Sequence, residues 1–361
     1  MPTANERLAD LAIGHQIYLQ RYSSSVVRRF MTVLNQADVD LYAQLAVVLE
    51  RLPAESFTVQ RLDQLLVQVQ RMNAEAYRAA GKELDEALFE LAGYEASYQH
   101  RAIQSVLPAA VAEQLALNVV APNQVYAAAM ARPFQGRLLR EALEGIEAVR
   151  AQRIRDAIRM GFVEGETIDQ MVRRLRGTRA LGYADGLMEI DRRGAEALVR
   201  TAVNHTANYA RQAVYEVNAD IVKEVQWVST LDGRTSSVCQ ARDGQVFPVD
   251  KGPRPPAHWG CRSSTAPVLK SAWEALGLSE TEIAEADRAS MDGQVAGSTT
   301  YQSWLKSKPD AFQDDILGPT KGKLFRDGGL ALDRFVDSNG REYTIEELRR
   351  KDAEAFKKAG L

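Results

Sequence analysis

Cysteine and histidine are scarce in this chain, with two and four residues respectively among 361. Modules that depend on disulfides carry much more cysteine for their length, so this scarcity argues against a disulfide-built secreted module. Two cysteines instead indicate folding in a reducing compartment. The chain is long enough for two or three domains, each with its own apolar core.

Long hydrophobic runs and a strong net charge are also missing. No stretch approaches the roughly eighteen uninterrupted apolar residues of a membrane-spanning helix. The start, MPTANERLADLAIG, lacks the basic and apolar segments of a signal peptide, so we expect a soluble product that folds in the cytoplasm, without a membrane partner. The formal net charge of −3 gives no overall field toward nucleic acid, and local charge must decide the partners.

Lysine is almost absent from the first part of the chain, where Lys82 is the only lysine before Lys223. This change in composition supports a boundary near residue 222. We predict four regions: 1–132, an N-terminal helical docking region; 133–222, an Arg-rich helical region; 223–270, an α+β core with a Cys/His loop; and 271–361, an α-rich tail with a hairpin.

Apolar residues at three- and four-residue steps dominate the first 222 residues. The stripes that start at Leu8 and Leu62 predict two long amphipathic helices packed as a hairpin or bundle. Prolines divide the following residues into shorter helices. Capping-box pairs predict four helix starts, at Thr3–Glu6, Thr167–Gln170, Ser279–Glu282 and Thr344–Glu347.

The pattern changes after Asp220, where alternating and β-branched residues predict short strands around residues 225–250. Residues 301–317 are predicted to be helical with a break at Pro309, and residues 334–344 to form a hairpin around Asn339 and Gly340. The predicted fold class is therefore mainly α with a small α+β core domain.

Three side chains in the core region could act together as soft ligands. Cys239, His258 and Cys261 have the spacing C-x18-H-x2-C, and imidazole nitrogen and thiolate sulfur are the ligands that zinc prefers. Four interpretations stay open: a zinc site one ligand short, a disulfide formed after release to an oxidising medium, two buried free thiols, or a Cys261 nucleophile with His258 as base.

Other residues around this loop are predicted to be structural. Asp232 fits a turn and accepts backbone hydrogen bonds, Thr235 is placed to cap the helix that carries Cys239, and Arg262 is expected to pair with a nearby acid. Separately, residues 132–179 hold eleven arginines against seven acidic residues. The arginines that we consider for contact with DNA or phosphate are Arg150, Arg153, Arg155 and Arg159.

The order W-x-S-T-x-D-x-R-T-S-x-x-C, then D-G, then P-P-x-H-x-x-C-R resembles the C-terminal core of the Mu F-like phage head morphogenesis family. The residues that carry the resemblance are Trp227, Asp232, Arg234, Thr235, Cys239, Gly244, Pro256, His258, Cys261 and Arg262. A helix with Arg200, Thr201 and Asn204 resembles the family's lead-in, so the resemblance covers about residues 195–268. Many relatives place a further cysteine after the C-R pair, whereas this chain has Ser263.

The resemblance implies a minor capsid protein of the virion head, present in the host cytoplasm during assembly. It implies noncovalent partners, namely the portal protein, the major capsid or scaffolding protein and packaged DNA, and it implies no catalysis and no firm cofactor beyond the zinc alternative. The alternative functions are a DNA-binding accessory protein or a virion-carried enzyme. The enzyme would be a Cys-His hydrolase or an ADP-ribosyltransferase using Arg200, Ser229, Thr230 and the segment Glu280-Thr281-Glu282.

Overall fold

A computed structural model describes residues 4–50, 59–107, 117–181, 183–269 and 287–361. Helices dominate these residues, and a small antiparallel sheet lies among them, so the predicted fold class is confirmed. Among the described helices, none combines the length and the apolar content that spanning a membrane requires.

The chain divides into two compact units, each built from separate segments. The first, which we call the sheet unit, comprises Met1–Gln20, Ala92–Val125 and Ala207–Leu361. The second, the helical unit, comprises Arg21–Leu91 and Tyr126–Thr206. This division follows spatial proximity, and the four regions derived from the sequence stay a prediction.

Two long helices begin the chain, as predicted: α1 spans Ala4–Glu50 and α2 spans Val59–Val106. In the sheet unit, the Tyr98 hydroxyl donates to the carbonyl oxygen of Leu11 at 3.1 Å. In the helical unit, the Tyr22 hydroxyl donates to the carbonyl oxygen of Ala87 at 2.8 Å. The remaining helices before the sheet are α3, Pro122–Ala131; α4, Leu139–Val163; α5, Ile168–Arg176; and α6, Leu187–Val217.

The helical unit has an apolar core of its own. Leu41 and Val69 pack with Ile154 and Ile158, and all four side chains are at most 7% exposed. Helix α5 begins at the predicted capping box, because the Thr167 side chain accepts from the Gln170 backbone N–H and the Gln170 side chain accepts from the Thr167 backbone N–H.

A three-stranded antiparallel sheet lies in the sheet unit, with β1 (Val222–Val228) between β2 (Val246–Pro248) and β3 (Ser264–Leu269). Strands β1 and β2 fall where the sequence predicted them, whereas β3 was not predicted. Pro267 lowers the strand signal of this segment, and the structure tolerates it because β3 is an edge strand. The short helix α7, Ser237–Arg242, connects β1 to β2.

The tail contains a further strand pair that the sequence did not predict, β4 (Asp287–Ser290) and β5 (Gly293–Ala296). The helices α8, Tyr301–Lys306, and α9, Asp310–Leu317, are separated at Pro309 as predicted. The predicted hairpin is reduced to a turn at Gly340, closed by one antiparallel bridge between Val336 and Glu342. The other tail helices are α10, Pro319–Arg326; α11, Ile345–Lys351; and α12, Ala353–Ala359.

Helix capping explains where several tail helices begin. Helix α11 starts at the predicted capping box, with Thr344 and Glu347 as the reciprocal pair. Helix α8 starts at a similar box that pairs Thr300 with Ser303. The other two predicted boxes involve Thr3 and residues 279–282, which lie outside the described residues.

A fully buried ion cluster holds the sheet unit together. Glu95 on α2 lies 2.5 Å from His15 Nε2 on α1 and accepts from Arg211 Nε on α6 at 2.5 Å. Arg211 Nη1 also donates to the Thr265 carbonyl oxygen of β3 at 3.3 Å. Burial raises the pKa of Glu95, but the positive charge of Arg211 and the hydrogen bond from His15 outweigh burial and lower that pKa overall.

We predict that Arg211→Met lowers the free energy of unfolding by about 3–5 kcal/mol, because it leaves Glu95 charged and buried without its main partner. Urea unfolding followed by circular dichroism measures this loss. The double variant Arg211→Met/Glu95→Gln should recover part of the stability. The control Arg71→Ala removes an exposed ion pair with Glu75 and should leave the unfolding midpoint unchanged. An equal loss of stability in Arg211→Met and Arg71→Ala would contradict the role of the buried cluster.

Candidate functional site

The structure brings Cys239, His258 and Cys261 together in the sheet unit. Cys239 lies on α7, and the other two lie on the loop between β2 and β3. The Cys239 Sγ atom is 3.4 Å from His258 Nε2 and 3.7 Å from Cys261 Sγ. All three donor atoms lie within 4.8 Å of one another, and no other group of three such side chains suited to a metal ion occurs within the described ranges.

Hydrogen bonds beneath the three side chains fix the backbone that carries them. The buried Trp227 donates its indole N–H to Ser229 Oγ at 3.0 Å, and Ser229 Oγ donates to the carbonyl oxygen of Cys239 at 2.8 Å. On the loop, the Cys261 N–H donates to the His258 carbonyl oxygen at 3.1 Å. Gly260 lies between them at φ +70°, a conformation that a side chain would strain.

The two thiols differ in acidity. The pKa of Cys261 is held well below its ordinary value. The largest cause is a hydrogen bond from Cys239, and a hydrogen bond with His258 acts in the same direction. The hydrogen bond between the two thiols, with burial, raises the pKa of Cys239. The hydrogen bond to Cys261 also raises the pKa of His258. Cys261 is therefore the thiol that ionises first, and the two sulfur atoms are not bonded to each other.

A cleft open to solvent lies beside these donors. Its volume is about 210 Å³, which includes space open to the solvent. Cys239 and Cys261 are buried, whereas His258 is half-buried and Trp259 is exposed. The residues that line the cleft are Thr230, Arg234, Thr235, Ser236, Cys239, His258, Gly260, Arg262 and Ser263.

Asp232 is the centre of a second polar cluster beside the loop. Its carboxylate accepts two hydrogen bonds from Arg262, at 2.5 and 2.7 Å, and one from the Arg234 backbone N–H at 3.0 Å. Burial raises the pKa of Asp232, but the hydrogen bonds and charge of Arg262 hold it below its usual value. The turn predicted at Asp232 and the acidic partner predicted for Arg262 are therefore present, while the Arg234 side chain is 87% exposed.

Thr235 does not cap α7, and that prediction was wrong. The cap residue is Ser236, whose side chain makes no capping hydrogen bond. Thr235 Oγ1 instead donates to the Thr230 carbonyl oxygen at 2.6 Å and to Asp232 Oδ1 at 3.2 Å. Its hydroxyl is thus used to close the turn after β1.

The other motif residues support the backbone. Gly244 has φ +80° at the turn between α7 and β2, where a side chain would be strained. Pro256 follows Pro255 through a cis peptide bond in the loop that leads to His258. The Arg242 guanidinium lies over the Trp227 ring, 5.3 Å from its centroid.

Sequence reasoning missed that Tyr301 belongs to this region, and it recognised Asp243 only as part of the D-G pair of the motif. Asp243 accepts from the backbone N–H groups of Ser229 and Tyr301, each at 2.7 Å. The Tyr301 hydroxyl donates to the Asp232 carbonyl oxygen at 2.9 Å. These contacts join α8 to the loops that connect β1, α7, β2 and β3, which we call the motif loops. The paired residues are 58 and 69 positions apart in the sequence, a separation at which local patterns carry no information.

The four arginines considered for DNA contact have different surroundings. Arg150 is only 2% exposed and pairs with Asp38 in the helical unit, so it cannot present its charge to a phosphate and its assignment was wrong. Arg153 pairs with Asp191. Arg155 is partly exposed and Arg159 is exposed.

Two alternatives raised by the sequence keep their status as predictions. For the ADP-ribosyltransferase, the segment Glu280-Thr281-Glu282 lies outside the described residues. For the Cys-His hydrolase, the structure supplies a low-pKa Cys261 near His258, and this pairing alone does not define an orienting third group.

A family model of known proteins matches the segment that contains this site. The family model described as phage Mu protein F like protein matches residues 152–266. Over this segment the chain is similar to the phage Mu F-like family. The match begins earlier than the sequence resemblance indicated and includes part of α4, all of α5 and α6, and the motif loops. No curated protein and no solved structure gives a significant match to the chain.

We predict that Asp232→Asn lowers the free energy of unfolding at neutral pH by about 1–3 kcal/mol, because it weakens the charged hydrogen bonds from Arg262. The folded-state pKa of Asp232 lies below its usual 3.8, so its contribution is present above that value and is lost as the pH falls through the lowered pKa.

Urea unfolding at several pH values checks this dependence. The difference between the wild type and Asp232→Asn should shrink as the pH falls. Asp315→Asn, at an exposed carboxylate of α9, should show no comparable difference at neutral pH. If the stability difference between the wild type and Asp232→Asn grew as the pH fell, the ionised pair of Asp232 with Arg262 would be ruled out.

Proposed function

We propose that this protein is a minor head protein that acts in phage head morphogenesis by binding the portal protein noncovalently. The match of residues 152–266 to the phage Mu F-like family carries the proposal, because this family implies a phage head morphogenesis protein. The inner capsid surface is the alternative partner within the same role. The proposal includes no catalytic step.

An exposed cluster of apolar and aromatic side chains in the sheet unit is the surface that we assign to docking. We call it the aromatic face and define it by Leu11, Tyr18, Tyr94 and Tyr98. Leu11 is 36% exposed, and Tyr18 and Tyr94 are each 39% exposed. The ring centroids of Tyr18 on α1 and Tyr94 on α2 lie 5.0 Å apart, so these two tyrosines form one continuous patch across the two helices.

The aromatic face is held rigid from beneath. The His15 ring stacks on Tyr98 with a centroid distance of 3.7 Å and on Tyr18 at 5.3 Å. His15 is itself fixed by the buried carboxylate of Glu95. A surface whose side chains are already ordered loses less conformational entropy when a partner binds.

The chemistry of the aromatic face suits a protein partner. Tyrosine is enriched in the centres of protein interfaces, since its ring gives a large contact area and its hydroxyl keeps a polar group. Exposed apolar clusters on soluble proteins also commonly mark interaction sites. These features support docking by α1 and α2, and the partner is inferred from the family.

Contact with packaged DNA is a narrower part of the proposal. With Arg150 excluded and Arg153 paired with Asp191, it rests on the other two candidate arginines of α4, Arg155 and Arg159. Such contacts would be electrostatic and independent of base sequence.

Deleting the gene in its phage tests the role in morphogenesis. We expect fewer particles with filled, infective heads, and supply of the wild-type gene in trans should restore them. Electron microscopy and plaque titre are the measurements. Normal numbers of infective particles without the protein would exclude the proposed function.

A paired substitution tests the docking surface. Tyr18→Ala/Tyr94→Ala should reduce co-purification with the portal protein at least about tenfold, because interface tyrosines often carry much of the binding energy. Phe89→Ala is a matched control, since Phe89 lies on α2 with 46% exposure but outside the aromatic face.

Thermal unfolding must show that both variants stay folded. Capture on empty capsid shells, tested in parallel, distinguishes the portal from the inner capsid surface. Undiminished binding of the paired variant to both partners would contradict docking through the aromatic face.

A further inference from the structure

We propose that Cys239, His258 and Cys261 bind one Zn²⁺ ion and leave its fourth position to a water molecule in the adjoining cleft. The site would contain two thiolates and one imidazole, a donor set that zinc accepts with tetrahedral geometry. This inference concerns binding of a metal ion and does not depend on the proposed role in the phage head.

The distances between the donor atoms fit such a site. With Zn–S bonds of about 2.3 Å and a Zn–N bond of about 2.0–2.1 Å, tetrahedral angles separate two sulfurs by about 3.8 Å and a sulfur from a nitrogen by about 3.6 Å. The observed separations are 3.7 Å between the sulfurs and 3.4 Å between Cys239 Sγ and His258 Nε2. The third donor pair, Cys261 Sγ and His258, lies within 4.8 Å, so small side-chain movements would let one ion reach all three donors.

The second nitrogen of His258 is bound in the way that zinc-ligating histidines require. His258 Nδ1 lies 3.0 Å from the Trp259 carbonyl oxygen, which can only accept, so Nδ1 carries the proton. Nε2 then has its lone pair directed toward Ser236 Oγ at 2.7 Å and Cys239 Sγ at 3.4 Å. A backbone carbonyl that orients a ligating histidine is a recurrent feature of zinc sites.

No fourth cysteine or histidine joins these three side chains among the described residues. Ser263 follows the Cys261-Arg262 pair, and its Oγ lies 3.2 Å from Ser229 Oγ. A neutral hydroxyl is a much poorer zinc ligand than a thiolate. Ser236 and Ser263 both line the solvent-open cleft, so water can reach the remaining position.

The arrangement would add a metal crosslink to the fold. Cys239 belongs to α7, and His258 and Cys261 belong to the loop before β3. One ion would therefore join two segments that are already linked by the contact of Ser236 Oγ, at the start of α7, with His258 Nε2. Zinc bound to the folded state stabilises it by mass action.

Metal binding to the purified full-length chain tests the proposal. The protein is prepared in a reducing buffer, stripped with a chelator and titrated with Co²⁺ and then Zn²⁺. We expect one Co²⁺ per chain, with a thiolate-to-metal charge-transfer band that disappears when Zn²⁺ displaces it. Substitution of a residue that only orients a ligand typically lowers metal affinity about 10–100-fold. We expect a larger loss of affinity from each of the ligand variants Cys239→Ser, Cys261→Ser and His258→Ala.

A gain-of-ligand variant tests the fourth position. Ser263→Cys should tighten metal binding at least about tenfold and raise the charge-transfer intensity by about half, since three thiolates replace two. Ser237→Cys is the matched control: it adds a thiol one residue away from Ser236 on α7 and should change neither quantity.

Three results would overturn the inference. They are a stripped chain that takes up no stoichiometric Co²⁺ or Zn²⁺, unchanged affinity in Cys239→Ser and Cys261→Ser, and a Cys239–Cys261 disulfide found by mass spectrometry in the reducing preparation. None of these results depends on head assembly, so failure here is distinguishable from failure of the proposed function.

Discussion

The buried carboxylate of Glu95 is the interaction on which the sheet unit depends. An ionised group without solvent is stable only when partners replace its hydration, and Arg211 and His15 provide them. Because the three residues come from α2, α6 and α1, their pairing fixes the relative positions of three helices. Arg211 extends the same network to β3 through the Thr265 carbonyl oxygen. Apolar packing alone would tolerate small shifts between these elements, whereas a buried ion cluster does not.

The same region of α1 connects the aromatic face with the motif loops. His15 supports the tyrosine rings, and its neighbour Gln16 donates to the carbonyl oxygens of Val228 at 2.9 Å and Arg262 at 3.2 Å. Ala12 and Ile13 add apolar contact with Val228 and Ala266 of the sheet. One helical segment thus orders both the surface assigned to docking and the backbone beside Cys261.

Local sequence signals predicted a large part of this structure. The spacing of apolar residues predicted α1 and α2, and the reciprocal pairs at Thr167 and Thr344 predicted helix starts, because both signals act within one or two helical turns. The convergence of Cys239, His258 and Cys261 was also predictable, since short turns and a proline-stiffened loop limit where their segments can go.

Contacts distant in sequence were beyond the reach of the same reasoning. Arg211 lies 116 residues from Glu95, and nothing in either local pattern indicates the other. Burial of Arg150 was missed for a related reason: the composition of a charged helix does not reveal that Asp38 covers one of its arginines. Strand β3 was missed because Pro267 is compatible with a strand only at a sheet edge, a position that depends on the tertiary fold.

Ser263 bears on whether a metal ion or hydrogen bonds would hold the motif loop in shape. A fourth thiolate would close the coordination shell and make a metal ion purely structural, as in sites with four protein ligands. With a serine, the polar contacts around the loop must provide more of its rigidity, and they are present: Ser229 contacts both the Cys239 carbonyl oxygen and Ser263, while Arg262 is held by Asp232. The loop therefore keeps its shape through hydrogen bonds and the packing of Trp227 against both cysteines. Because that framework does not require the ion, we expect the loop to keep its shape when the proposed metal ion dissociates.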